Sequence, residues 1–272
     1  ENLREITLTI SCPEVAQILM EQKEQVKFTE EEIEEDEEEF EGFDPFFFSY
    51  LEDARKIIIG ILQNRSLTIE VRTALVLKMA EEMQHIIEES DLFDLVDVFE
   101  DYEEEVNFTR LVAEAEREVT SFYNAEEDGF RYSKTVFERL YTLEHLSGDW
   151  ESYLEQCQKT LYGGDAKAYR DMRNEFKEYC KQESIDGIDM DILLEQLLVY
   201  FVFAYICGAV YDDNVIGKIK MSIDSVTVMH EMFMAKWEEQ ERHLSGEDIK
   251  KIMYRYSREL EHSEENLGRM QN

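Results

Sequence analysis

The 272-residue chain carries 64 Asp and Glu against 28 Lys and Arg, a formal net charge of -36. Docking on a nucleic-acid backbone or an anionic membrane would run against that field, and no Lys/Arg cluster offers a local exception, so cationic or lysine-presenting partners fit better. A hydrophobic share of 43% excludes a disordered chain and supports a real core, in one large domain or two small ones.

Two prolines, eleven glycines and strong 3.6-residue apolar periodicity predict an all-α protein, an irregular multi-helix bundle of antiparallel neighbours. The exception comes first: Leu3, Ile6, Leu8 and Ile10 interleave with Glu5, Thr7, Thr9 and Ser11, a pattern that predicts a short N-terminal β-strand. Pro13 then stands at a first helical position and opens a helix to Glu21. Residues 1–27 thus read as the remnant of an N-terminal region, a strand and a short helix. Residues 28–42 read as an acidic connector. Ten acidic residues fall between Thr29 and Glu41, and like charges at i to i+4 spacing oppose a helix there even with a Thr29/Glu32 capping box. The functional alternative for this run is a guide for a lysine-bearing substrate.

Residues 43–272 read as one helical domain. Asp44-Pro45 opens a helix to about Asn64, and Thr68 caps another to about Ser90. Further helices are expected near Asp91 to Tyr102, Phe108 to Tyr123, Phe130 to Leu146, Asp149 to Tyr162, Asp165 to Cys180, Asp189 to Tyr211, Val215 to Arg242 and Gly246 to Arg269. Gly129, Gly148, Gly163-Gly164 and Gly187 mark stops, and Ser245 with Asp248 marks the start of the terminal helix. The longest uninterrupted apolar run, Leu197 to Val210, would span about 21 Å as a helix, short of a hydrocarbon core of roughly 30 Å. It reads as a buried core helix, not a membrane span.

Candidate chemistry concentrates at the C-terminus. Tyr256, Leu260 and Leu267 form an apolar stripe, beside which Arg258, Glu259, Glu261, His262, Ser263 and Asn266 crowd a guanidinium, carboxylates, an imidazole and an amide into three turns. Such a set can hold or deprotonate an amine, or it can be an internal network that locks the last helix to its neighbour. Two Glu-x-x-His pairs, Glu82 with His85 and Glu259 with His262, match in form the ligand pairs of di-iron bundles. In so glutamate-rich a chain they arise readily by chance, and His85 reads as a surface histidine with a local partner. Arg65 and Arg72, flanking L-T-I-E, read as ties between helices through carboxylates. Cys157, Cys180 and Cys207 read as core, as do Met229, Met232 and Met234 beside Trp237. The four cysteines contain no C-x-x-C pair, consistent with a reduced, cytoplasmic setting. Cys12 precedes a helix start, where first-turn amides favour a thiolate, or it is a small buried residue.

The ordered series TLTISCPEVAQILM (Thr7 to Met20), ILQNRSLTIEVR (Ile61 to Arg72), LLVYFVFAYICGAVYDD (Leu197 to Asp213), FMAKW (Phe233 to Trp237), LSGEDI (Leu244 to Ile249) and YSRELEHSEENL (Tyr256 to Leu267) resembles the C-terminal portion of the bacterial flagellin lysine-N-methylase family. The likeness is thinnest between roughly Phe99 and Ser184. It implies that the whole protein transfers a methyl group from S-adenosylmethionine to lysines of flagellin, or of another lysine-bearing protein, in the cytoplasm. It also implies a metal or iron-sulfur cluster held by a cysteine-rich region that lies before Glu1, with Cys12 as its last cysteine and a candidate metal ligand. On this reading Glu259, Glu261 and His262 are the candidate catalytic groups, and Arg258, Ser263 and Asn266 bind and orient. The alternatives from other classes are a non-catalytic acidic interaction module and a di-iron oxidase.

Overall fold

The computed structural model describes residues 8–29, 42–89, 91–182 and 185–272. Among these are twelve α-helices: α1 (Pro13–Glu21), α2 (Pro45–Leu62), α3 (Ile69–Glu89), α4 (Leu95–Glu103), α5 (Glu105–Asn124), α6 (Glu126–Arg139), α7 (Trp150–Tyr162), α8 (Ala166–Gln182), α9 (Met190–Tyr205), α10 (Val215–Glu239), α11 (Gly246–Glu261) and α12 (Glu264–Met270). The described residues contain no strand beyond a lone bridge between Ile185 and Ile188, so the chain is all-α. The expected N-terminal strand is not seen among the described residues. Residues 1–7 lie outside the described residues, and Leu8 to Cys12 run into a turn closed by Cys12 N–H donating to Thr9 O at 3.3 Å. A strand needs a partner edge; here Ile10 is buried and its N–H donates instead to the Tyr200 hydroxyl at 3.3 Å. The acidic run also falls outside the described residues, apart from Thr29.

The expected caps form. Asp44 accepts from the Phe46 and Phe47 amides ahead of Pro45, Asp189 accepts from Asp191 and Ile192, and Ser245 and Asp248 make a reciprocal capping box. With ends satisfied locally, helix position is decided by burial. α10 is buried almost all round and packs against α3, α6, α7, α9 and α11, which makes it the axis of the bundle. Met229, Met232, Phe233 and Met234 on it have no exposed surface, so the methionine cluster is core. α9 continues as a 3₁₀ segment, Ile206–Tyr211. The stretch Met190–Tyr211 is long and apolar enough to cross a membrane, but 67% of its most apolar window is buried within the bundle. It is a core helix, as the apolar run predicts.

One buried ion cluster ties α9 to the joint between α2 and α3. Glu195, with no exposed surface, accepts from Arg65 Nε at 3.0 and 3.1 Å, Arg65 Nη2 at 2.8 Å and Arg72 Nη1 at 2.7 Å. Arg72 Nη1 also donates to Leu62 O at 2.5 Å, closing the end of α2. The two arginines are therefore the helix ties their sequence context predicts.

Two boundaries differ from expectation for one reason. The helix expected over Phe130 to Leu146 begins at Glu126, takes Gly129 inside it and ends at Arg139. The helix expected over Gly246 to Arg269 breaks at His262, and Ser263 caps a new helix by accepting from Asn266 N–H. The amides of Glu144 and Leu146, which would have continued α6, donate instead to the Asn266 and Glu259 side chains, each at 2.7 Å. Side chains more than a hundred residues away capture the backbone of one helix while breaking the other.

Candidate functional site

The joint between α11 and α12 separates the six clustered residues into two groups. Glu259 shares the buried side of α11 with Tyr256 and Leu260 and is 3% exposed. One of its oxygens accepts from Leu146 N–H; the other is buried and has no hydrogen-bond partner among the described residues. Asn266, fully buried, accepts from Glu144 N–H through Oδ1, while its Nδ2 donates to Glu144 O at 2.8 Å and Glu259 O at 2.7 Å. Ser263 is buried, caps α12 and donates to Glu144 Oε2 at 3.4 Å. Glu259, Ser263 and Asn266 thus hold the 143–146 loop.

Glu261 and His262 face the N-terminal segment instead. Glu261 Oε1 accepts from the Tyr200 and Tyr205 hydroxyls at 2.6 and 2.7 Å, and Oε2 accepts from Ser257 and, at 3.3 Å, from Thr9. Burial and the Glu261 charge push both tyrosines above their ordinary pKa, so they remain donors. His262 is exposed, with Nε2 at 3.0 Å from Ser11 Oγ. Arg258 is exposed. Cys12, the next residue along, is half-buried, and its thiol donates to Glu14 Oε2 at 3.0 Å. The structure therefore places Cys12, Glu261 and His262 on one face, where the chain enters the bundle.

A second feature was not picked out from the sequence: a cleft of about 700 Å³ enclosed by α3, α5, α6, α8, α9 and α10. None of Cys12, Arg258, Glu259, Glu261, His262, Ser263 or Asn266 lines it. Phe122, Tyr123, Tyr132 and Tyr169 form aromatic walls, and Leu194, Leu198, Ile223 and Val226 an apolar one. Glu231, 3% exposed, accepts from Tyr169 at 2.7 Å and Tyr162 at 3.3 Å, and Tyr162 is 2.5 Å from Ser133 Oγ. Burial raises the Glu231 carboxyl pKa against these hydrogen bonds and the nearby Arg173 charge. Arg173 lies over the Tyr123 ring, 4.2 Å from its centroid. Burial lowers His230 to about 4, so it is neutral near pH 7. Burial also pulls the Glu70 carboxyl upward, but the Lys177 ammonium at 2.7 Å outweighs it and holds Glu70 below its usual value. The one sequence signal for this site was an ionisable pair, His230-Glu231, inside the apolar run of α10.

A family model described as the FliB lysine N-methylase C-terminal domain matches residues 55–272. The chain belongs to that family. The match includes both sides of the cleft and the whole joint, and it bears out the resemblance over five of the six segments, Thr7 to Met20 lying ahead of it. No curated protein and no solved structure matches the chain.

Among the described residues, no group of three or more His, Cys, Asp or Glu side chains is placed to hold a metal ion. His85 is exposed and pairs with Glu89 at 3.5 Å, the local partner expected for a surface histidine. Glu259 and His262 diverge, one to the 143–146 loop and one to Ser11. Cys157 and Cys207 are buried, and burial pushes the thiols of Cys157 and Cys180 up to about 12, which makes them poor nucleophiles.

Proposed function

We propose that this chain is the substrate-handling helical part of a protein-lysine N-methyltransferase that modifies flagellin in the cytoplasm before export. The observation that carries this reading is the family match across residues 55–272. S-adenosylmethionine, when bound, supplies the methyl group. The described residues contain no strand-to-helix glycine-rich turn to cradle a nucleotide. They also bring a single cysteine, Cys12, to the entry face. They do not by themselves fit the donor or a metal cluster.

What the chain's own residues supply is a place to hold and deprotonate an amine, since a lysine must be neutral to accept a methyl group. The hydroxyls of Tyr200, Tyr205, Ser257 and Thr9 fix Glu261 in place beside the exposed His262; we assign attraction of the incoming lysine to Glu261 and the amine's proton to His262. Arg258, exposed one turn earlier, orients the incoming chain, and Glu259, Ser263 and Asn266 position the joint. Cys12 by itself completes no ligand set, since no group of three or more His, Cys, Asp or Glu side chains gathers for a metal among the described residues. The test is transfer from labelled S-adenosylmethionine to flagellin by the full-length protein. Transfer is expected to fall by roughly 100-fold in His262→Ala with helicity unchanged. Undiminished transfer in both His262→Ala and Glu261→Gln would overturn the assignment, and no lysine methylation at all would overturn the function.

A further inference from the structure

We infer that the cleft between α3, α5, α6, α8, α9 and α10 is a binding pocket for a lysine side chain of the protein partner, with its stem on Tyr123 and Tyr169 and its ammonium at Glu231. The site is separate from the joint and from Cys12. It rests on the methyltransferase reading only for the identity of the guest; its preference for a cation with an apolar stem comes from geometry and charge.

Size comes first. A cavity of about 700 Å³ lies within the range of formed ligand sites and has room for a lysine with flanking backbone. Chemistry comes second. The walls are aromatic and aliphatic, as an extended tetramethylene stem requires, and aromatic faces attract an ammonium. Glu231 is a buried carboxylate whose two oxygens are held by tyrosine hydroxyls. Each oxygen retains acceptor capacity, because a carboxylate offers about four lone-pair sites. Charge comes third. Glu70, Glu118, Asp189, Asp191 and Glu231 line the cleft against Arg173, Lys177 and Lys181. Lys177 is paired with Glu70 and Lys181 with Glu178, while Arg173, over the Tyr123 ring, stays charged near Glu231. The surplus is acidic, within a chain of net charge -36, so a cation is both drawn in and paired on arrival.

The experiment titrates this chain with three blocked tripeptides, Gly-Lys-Gly, Gly-norleucine-Gly and Gly-Glu-Gly, by calorimetry and tyrosine fluorescence. Saturable binding is expected for the lysine peptide, and about tenfold or more weaker binding for the other two, the effect of losing one charged hydrogen bond. Glu231→Gln is expected to remove the preference for lysine over norleucine. Tyr123→Leu, at the rim and 38% exposed, leaves the fold intact and is expected to weaken lysine binding several-fold. Equal binding of the lysine and norleucine peptides would overturn the proposal, as would unchanged lysine binding by either folded variant. Methyl transfer by the full-length Glu231→Gln protein is measured in parallel. Lysine binding without methylation by the parent removes the enzymatic reading and leaves the pocket. Methylation with no lysine preference in the cleft does the reverse.

Discussion

Removing the Glu195 carboxylate tests whether charge, and not only packing, holds α9 against the α2–α3 joint. In Glu195→Ala the Arg72 guanidinium, 3% exposed, loses its 2.7 Å partner and remains charged in the interior. Breaking a buried pair in this way costs about 3–5 kcal/mol. Arg65 adds little to that figure, because its side chain is 34% exposed and water takes over its donors. For a chain of this size each kcal/mol moves Tm by roughly 2–4 °C, so a drop of about 6–20 °C is expected in a calorimetric or circular-dichroism melt. The paired change Glu195→Leu with Arg72→Met, which removes both charges together, is expected to recover most of the loss. A single variant within about 1 kcal/mol of the parent would refute the reasoning, and so would a double variant no more stable than the single one.

Four further outcomes are expected of the same structure. Asn266→Ala deletes three hydrogen bonds to the backbone of Glu144 and Glu259 and is expected to cost about 2–4 kcal/mol in urea unfolding, with loss of amide-exchange protection at Glu144. Protection unchanged there would show that the 143–146 loop is held by something else. Glu231 titrates above the ordinary 4.5 when folded, so between 4.5 and its raised value the folded chain keeps a proton the unfolded chain has lost, and stability falls as pH rises. Glu231→Gln is expected to flatten that slope in denaturation series across pH. His230 contributes oppositely: its stabilisation is full above 6.5 and lost as pH falls through about 4, which an imidazole NMR titration would read directly. Gly217→Ala places a methyl group against the Asn214 amide and the Gln271 carbonyl. It also disturbs the Asn214 cap of α10, and a loss of about 1–3 kcal/mol is expected by urea unfolding.

The helical content, the caps at Asp44, Asp189 and Ser245, and the burial of the Leu197 to Val210 run were legible in the sequence, because each depends on neighbours within a few residues. So were the roles of Arg65 and Arg72, since long charged side chains beside a tight turn between apolar helices have few places to go. The break at His262 was not legible, because the partner that stabilises it is the backbone of Glu144 and Leu146, remote in sequence. Nor was the division of the C-terminal cluster: adjacent positions such as Glu261 and His262 meet Tyr200 and Ser11, while Glu259, two residues earlier, turns to another loop.

The sequence by itself determined that this chain is an acidic, all-α protein of the lysine N-methylase family, since net charge, periodicity and ordered motifs are properties of the chain before it folds. Only the tertiary structure decided which ionisable groups share a cavity. Glu231 on α10 meets Tyr169 and Arg173 on α8, some 62 residues earlier, and burial, which exists only once those helices pack, raises the pKa of a glutamate in the wall of the cleft.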